Sequence, residues 1–285
     1  MKTVFVIITS KCNRSCEYCF YKQDKHRKKE DKTKTGKIND FLFFLRKNGF
    51  NELTITGGEP LLREKDTIKI IGNAKKLGYY TNIDTNGTLI SKENLNALSK
   101  NGLDCVYLSG EYIEHLNKNI LDSLIKKFKV FILKVVTKKN AYKLISFINK
   151  YTKLGIPLII HPAYINKNNK FYKDLDLFFL PKKHWGILTK ILTTWAENNK
   201  KHEYLKYFLS YYASDKPHKP SRCKMLNALA VDSDGSVYSC FHRQDLLAGN
   251  IFSDDFKKIL TNVNNYKRKL RGCPCYDEQC ISLLF

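Results

Sequence analysis

Apolar positions along the 285-residue chain follow two alternating rhythms. The first is a short β-branched run, Val4-Phe5-Val6-Ile7-Ile8-Thr9, of strand length and strand composition. The second is a 3.6-residue period. Ile38, Phe41, Leu42 and Leu45 follow it and predict a helix over Ile38–Lys47, ended by Asn48-Gly49. The rhythms then repeat. Further strands are predicted at Glu52–Thr56, Tyr79–Asp84, Cys105–Ser109, Val130–Thr137 and Pro157–His161, and further helices at Thr67–Leu77, Ser91–Lys100, Leu116–Phe128 and Ala141–Leu154. Ser91 is a good N-cap, and Gly78 and Gly155 stop the helices before them. Six strands alternating with helices imply an α/β fold with a parallel sheet and right-handed crossovers.

The pattern breaks twice. Tyr21 to Lys37 is lysine-rich and reads as a surface loop. Asn166 to Pro220 carries aromatic-rich helical pieces (Phe171–Leu180, Trp185–Trp195, His202–Tyr212) and reads as a bridge. After it, Leu229-Ala230-Val231 and Ser236-Val237-Tyr238 flank Asp232-Ser233-Asp234-Gly235, a hairpin signal, and a short helix is predicted at Asp254–Leu260. The expected organisation is a barrel-type domain over 1–163, a bridge over 164–220 and a small domain over 221–285.

Composition narrows the class. Hydrophobic content of 43% fits a globular core. The first apolar run is too short for a signal peptide and no later run is long enough to span a bilayer. Nine cysteines without a secretory signal point to a reducing, cytoplasmic setting in which thiols serve metals. The net charge of +23 suits an acidic partner, but the lysines are spread over every helix, which argues against a dedicated nucleic-acid surface. His161, His184, His202 and His218 lack ligand spacing.

The chemistry gathers just after the first strand, at Cys12, Cys16 and Cys19. Three thiolates are one short of a closed zinc site and one short of a fully protein-ligated iron–sulfur cube. A four-iron cluster held this way keeps one iron open to another ligand. Cys-x3-Cys-x2-Cys after a first strand, with Tyr18 beside the last cysteine, resembles the radical S-adenosylmethionine (radical SAM) superfamily. The resemblance implies a partial (β/α)6 barrel of TIM type. It also implies a 4Fe–4S cluster with an open iron site that binds SAM, and reductive cleavage of SAM to a 5′-deoxyadenosyl radical that abstracts hydrogen. Gly57-Gly58-Glu59-Pro60, after the second strand, resembles the family's signature for the methionine amine of SAM. Two glycines admit a close ligand, and carbonyls plus a carboxylate can accept from an ammonium. Thr85-Asn86-Gly87 resembles the turn beside SAM. Tyr18, Thr85, Asn86 and Ser109 complete the expected SAM site, with Glu111 a rival to Ser109 at the ribose. All of these fall at carboxyl ends of predicted strands, where such sheets do their chemistry. Cys105 begins its strand, so it should point away from the chemistry, and it is expected to be a buried thiol in apolar surroundings.

A second set, Cys223, Cys240, Cys273, Cys275 and Cys280, surrounds the hairpin and the chain's end. On ligand grounds zinc is a rival. Cys-x11-Gly-x4-Cys, however, resembles the SPASM and shorter twitch extensions, which hold auxiliary 4Fe–4S clusters. Five cysteines suit one auxiliary cluster with four ligands and leave one spare thiol, a candidate hydrogen donor among Cys273, Cys275 and Cys280.

These readings favour a radical SAM enzyme acting on a peptide, oxidising it or forming a bond, with a flavodoxin or ferredoxin as reducing partner. With the barrel starting at residue 3, a leader peptide would need a separate carrier or another groove. A small-molecule dehydrogenase or cyclase is the first alternative, although the Gly-Gly tail of the family's molybdenum-cofactor cyclase is missing from Ile281-Ser282-Leu283-Leu284-Phe285. A non-enzymatic zinc- or cluster-binding regulator is the second.

Overall fold

The computed structural model describes residues 1–19, 31–32, 34–137, 139–162, 224–243 and 245–269. The bridge expected over 164–220, most of the lysine-rich loop, and Cys223, Cys273, Cys275 and Cys280 lie outside the described residues. Strands and helices alternate as the apolar rhythm requires. The order is β1 (Thr3–Thr9), α1 (Thr35–Lys47), β2 (Glu52–Gly57), α2 (Glu64–Lys76), β3 (Tyr80–Thr85), α3 (Lys92–Lys100), β4 (Cys105–Ser109), α4 (Lys118–Lys127), β5 (Lys129–Val136), α5 (Leu144–Lys153) and β6 (Leu158–Pro162). Then come β7 (Ala228–Val231), β8 (Ser236–Tyr238), β9 (Leu247–Asn250) and α6 (Phe256–Lys269). The fold is an α/β partial barrel whose sheet does not close among the described residues.

The chain divides into two compact units, Met1–Val130 with Met225–Leu270, and Phe131–Lys224 with Arg271–Phe285. In the first, the strand order is β4-β3-β2-β1-β7-β8-β9. β1 to β4 run parallel, with Phe5 opposite Thr54, Thr54 opposite Asn82, and Asp84 opposite Tyr107. One face is mainly apolar: Val4, Val6, Leu53, Ile55, Ile83, Val106 and Leu108 are each at most 1% exposed, with Thr81 and Thr85 buried beside them. Right-handed crossovers place the helices on one face. The buried stripes of α1 (Ile38, Phe41, Leu42, Leu45) and α2 (Ile70, Ile71, Ala74) supply its cover. Each buried Ile, Leu or Phe among them contributes roughly 1.5–3 kcal/mol by leaving water.

The other face carries Thr3, Glu52, Thr54, Thr56, Asn82, Asp84, Cys105, Tyr107 and Ser109. Phe5 and Ile7 of β1 share this mainly polar face. At its lower end Glu52 accepts from the Thr3 hydroxyl (2.7 Å) and from Asn82 Nδ2 (2.9 Å). Cys105 is buried there, as expected, but beside Asn82 and Tyr107 rather than in apolar surroundings. Burial pushes its thiol up to about 12.

In the second unit β5 pairs in parallel with β6, Ile132 opposite Leu158. Leu144, Phe147, Ile148 and Tyr151 of α5 are buried. The Lys134 ammonium stands 4.8 Å from the Phe147 ring centroid.

The hairpin forms where expected, with Ala230 opposite Tyr238 and Gly235 at φ 85° in the turn. Three features differ from the sequence expectation. β7 pairs in parallel with β1, Phe5 opposite Ala230, so the hairpin extends the barrel sheet. β9 was not expected: Leu247-Ala248-Gly249-Asn250 contains a glycine at φ 150° and no clean alternation. α6 runs well past Leu260, because Ile259 and Val263 share one buried stripe that three asparagines obscure. Asn262 Nδ2 ties this helix to the Ala248 carbonyl at 2.8 Å.

Candidate active site

The cysteine loop leaves the carboxyl end of β1 and is laid directly on the Gly57-Gly58 turn. Gly58 N–H donates to the Thr9 carbonyl (2.8 Å) and Glu59 N–H to the Lys11 carbonyl (2.9 Å). A Cβ on Gly58 would overlap the Lys11 backbone, and one on Gly57, at φ 136°, would overlap the Thr9 carbonyl. The glycines are therefore demanded by the chain's own backbone, before any ligand is considered. Below the loop, Arg63 donates to the Ile8 carbonyl (2.8 Å) while pairing with Asp66. Above it, the Asp31 carboxylate accepts from the Thr9 hydroxyl (2.5 Å) and Ser10 N–H (3.0 Å).

Cys12, Cys16 and Cys19 are half-buried and in no disulfide, and Cys19 N–H closes a turn onto the Cys16 carbonyl at 3.1 Å. The sulfurs of Cys12 and Cys16 have polar company. Cys12 Sγ accepts from Arg14 N–H (3.4 Å) and from Asn86 Nδ2 (3.7 Å); Cys16 Sγ lies 3.1 Å from the Tyr112 hydroxyl. Among the described residues no three metal-binding side chains converge on one ion-sized point. Three partly accessible thiols on one loop fit a four-iron cube, where each thiolate takes its own iron. Arg14 stacks 4.8 Å from the Tyr112 ring centroid. Tyr18 is half-buried, its phenol held above the usual range first by burial and then by Cys16, Glu111 and Tyr112. Ser109 ends β4 on the polar face, and its carbonyl accepts from Tyr112 N–H at 3.3 Å.

Glu59 joins the two remaining turns. Its side chain is fully buried. Oε1 accepts from Leu61 N–H (3.1 Å) and the Thr85 hydroxyl (2.8 Å), and Oε2 from Asn86 N–H (2.8 Å). Burial raises its pKa, against the pull of those three bonds. Pro60 opens the short 3-10 turn that follows and is buried. Asn86 then reaches the cysteine loop. Its Nδ2 donates to Asn13 Oδ1 (2.9 Å), and its Oδ1 accepts from Thr88 N–H (2.9 Å). Asn13 Nδ2 donates in turn to the Thr88 hydroxyl at 2.8 Å. Cys12, Gly57, Gly58, Glu59, Thr85 and Asn86 are thus one connected structure.

Sequence reasoning missed three residues here. Tyr112 gave no signal, because its contact with Cys16 spans 96 positions. Asn13 was inside the motif but carried no expected role. Asp84 immediately precedes Thr85-Asn86-Gly87, and counting strand residues in twos would have placed it on the polar face with Asn82. It is half-buried, bonded to Thr56 and near Glu59, and burial pushes its carboxyl up to about 7.

In the extension only Cys240 is described among the five expected ligands. It is 8% exposed, just past β8, and Phe241 beside it packs on Phe5 of β1 with ring centroids 5.4 Å apart.

The radical SAM superfamily profile matches residues 6–177, and an iron–sulfur cluster-binding domain profile, SPASM, matches residues 223–281. A probable GTP 3',8-cyclase of Sulfurisphaera tokodaii is 29% identical over 271 residues, covering 84% of this chain and 81% of that protein. Among solved structures, anSMEcpe with bound AdoMet and Cp18Cys peptide matches with TM-score 0.66 and 22% identity, covering 98% of this chain and 87% of that one. Streptococcus suis SuiB bound to precursor peptide SuiA matches with TM-score 0.69 and 16% identity, covering 99% of this chain and 70% of that one.

Proposed function

Since the chain belongs to the radical SAM superfamily and carries a SPASM-type extension, hence a 4Fe–4S cluster, SAM and an auxiliary iron–sulfur cluster, we propose that it is an enzyme that modifies a peptide by hydrogen abstraction. The observation that carries this reading is the meeting of three strand ends. The cysteine loop rests on Gly57-Gly58, and Asn86 bridges to both Cys12 and Asn13. In this reading Cys12, Cys16 and Cys19 hold the SAM-cleaving cluster. When bound, that cluster supplies the electron that splits the sulfonium and frees a radical able to take a substrate hydrogen.

The chain's own residues do the rest. The Gly57-Gly58 backbone receives the methionine amine, Asn86 orients the Cys12 side of the loop, and Ser109 and Tyr18 border the nucleoside. Thr56, Asp84 and Tyr107 face the barrel interior and contact the substrate, Asp84 as a hydrogen-bond acceptor. Cys223 and Cys240, with two of Cys273, Cys275 and Cys280, hold the auxiliary cluster. The peptide assignment draws on the SPASM extension, on the likeness to anSMEcpe and SuiB, and on the net charge of +23, which suits an acidic leader. A small-molecule cyclisation is the second reading, favoured by the probable GTP 3',8-cyclases at 29% and 27% identity.

Anaerobic reconstitution tests the proposal. About eight irons per chain, together with 5′-deoxyadenosine from SAM under strong reductant, support it; one or two zincs and no 5′-deoxyadenosine refute it. Faster SAM consumption with short peptides encoded beside the gene supports the first substrate class. Acceleration by GTP alone supports the second.

A further inference from the structure

We infer that Glu59 is a positioning residue, whose carboxylate fastens the Thr85-Asn86-Gly87 turn to the Gly57-Gly58 turn and so holds Asn86 against Cys12, leaving the amine of SAM to the backbone. This rests on the reading of the site as a SAM site. The spacing of the motif invites the opposite role, a carboxylate offered to an ammonium, and the geometry rules it out in three ways.

First, the side chain is 0% exposed, so nothing outside the protein touches it. Second, a carboxylate has about four lone-pair sites, and Leu61 N–H, the Thr85 hydroxyl and Asn86 N–H already occupy three of them. Bonds to a charged acceptor are the strong kind, and releasing them would orphan the donors on a buried turn. Third, two of the three donors belong to the turn that carries Asn86, and Asn86 is wired onward. Asn86 Nδ2 reaches Asn13 Oδ1 (2.9 Å) and Cys12 Sγ (3.7 Å), and the Asn86–Thr88–Asn13 ring closes at 2.8 Å. Thr85 Oγ1 also accepts from Gly87 N–H (3.0 Å), so the hydroxyl that donates to Glu59 sets the turn's shape. A change at Glu59 is therefore felt at a cluster ligand 47 residues earlier in the chain, through Asn86.

The test is Glu59→Gln in the anaerobically reconstituted enzyme, probed with two nucleosides, S-adenosylhomocysteine and its deamino analogue. The glutamine keeps the shape but turns one oxygen into an N–H₂ facing the Asn86 or Thr85 donor. If Glu59 acts through the turn, both ligands lose affinity alike, by about tenfold, and the EPR signal of the reduced amino-terminal cluster changes. A loss confined to the amine-bearing ligand overturns the inference, as does unchanged affinity with an unchanged EPR signal. Should Glu59→Gln fail to fold, Thr85→Val removes one donor without touching the charge. It should weaken both ligands equally, and Thr85→Ser should restore them; a loss only for S-adenosylhomocysteine again overturns the inference. A parent enzyme that binds neither nucleoside sinks the SAM-site reading itself, and the inference falls with it.

Discussion

Replacing Gly58 with alanine puts a methyl group onto the Lys11 backbone, where no flexible side chain can yield. The cysteine loop must move instead. Gly58→Ala should therefore lower iron at the amino-terminal cluster and suppress 5′-deoxyadenosine formation, while the extension keeps its iron. Gly36→Ala is the control, since nothing lies within 4 Å of its Cβ. Equal iron and activity in both variants would contradict the close approach seen here. Asp84 makes a pH prediction. Burial, with Glu59 adding to it and the Thr56 hydroxyl opposing, holds this carboxyl up to about 7, against about 3.9 in an unfolded chain. The folded state thus keeps a proton that the unfolded state has lost. The stability linked to that proton is complete below pH ~4 and disappears as the pH rises through ~7. Asp84→Asn should accordingly melt at a higher temperature than the parent at pH 8, with the gap shrinking toward pH 4; a gap that widens in acid would refute the assignment. At this scale the sequence displayed Cys12, Cys16, Cys19 and Gly57-Gly58-Glu59-Pro60 through spacing alone. It hid what Glu59 does, because its donors Thr85 and Asn86 come from the next strand's end, 26 and 27 positions on.

The elements were legible wherever a period was clean. β1 to β4 carry continuous or alternating β-branched runs, and α1 to α3 show their stripes, so they were expected close to where they lie. Ends were less visible. α1 begins at Thr35 with no side-chain cap and α2 follows a 3-10 turn, neither of which leaves a composition mark. α3 is the exception, because Ser91 and Asn94 form a reciprocal box: Ser91 Oγ accepts from Asn94 N–H (3.2 Å), and Asn94 Oδ1 accepts from Ser91 N–H (2.9 Å). Ser91→Ala should cost about 1 kcal/mol, read from chemical denaturation of the whole chain, with SAM affinity unchanged because both bonds of the box run between Ser91 and Asn94 and neither involves Thr85, Asn86 or Gly87. A cost near zero would mean that the box is not formed in solution. β9 and the later half of α6 could not be read from pattern, since Gly249 and a run of asparagines break the local signal and only contact with β8 and Ala248 restores order.

At the scale of the molecule, the extension and the barrel share a sheet. β7 pairs with β1 over Thr3–Val6, on the edge opposite β2, and Phe241 stacks on Phe5. Lys32 N–H, on the return from the cysteine loop, donates to the Ser233 carbonyl of the hairpin at 2.8 Å. The expected boundary at 221 separates two cysteine sets in sequence, but β7 pairs with β1 across it, so the hairpin and the strands it extends should unfold together. Removing 221–285 would bare the β1 edge, whose inner residues are apolar, and an unpaired apolar edge strand recruits other chains. Such a truncation should aggregate, rather than yield a soluble barrel that still cleaves SAM. The subtler variant is Cys223→Ala with Cys240→Ala. If these two thiols bind the auxiliary cluster, their loss should leave uncoupled SAM cleavage at Cys12, Cys16 and Cys19 in place and stop product formation. It should also lower the melting temperature of the barrel's own transition, because metal binding is part of the folding energy of a small metal domain and here that domain holds the β1 edge. Two separate melting transitions, with the barrel's unmoved, would show that the strand pairing does not couple them; full product turnover would show that these cysteines are not ligands.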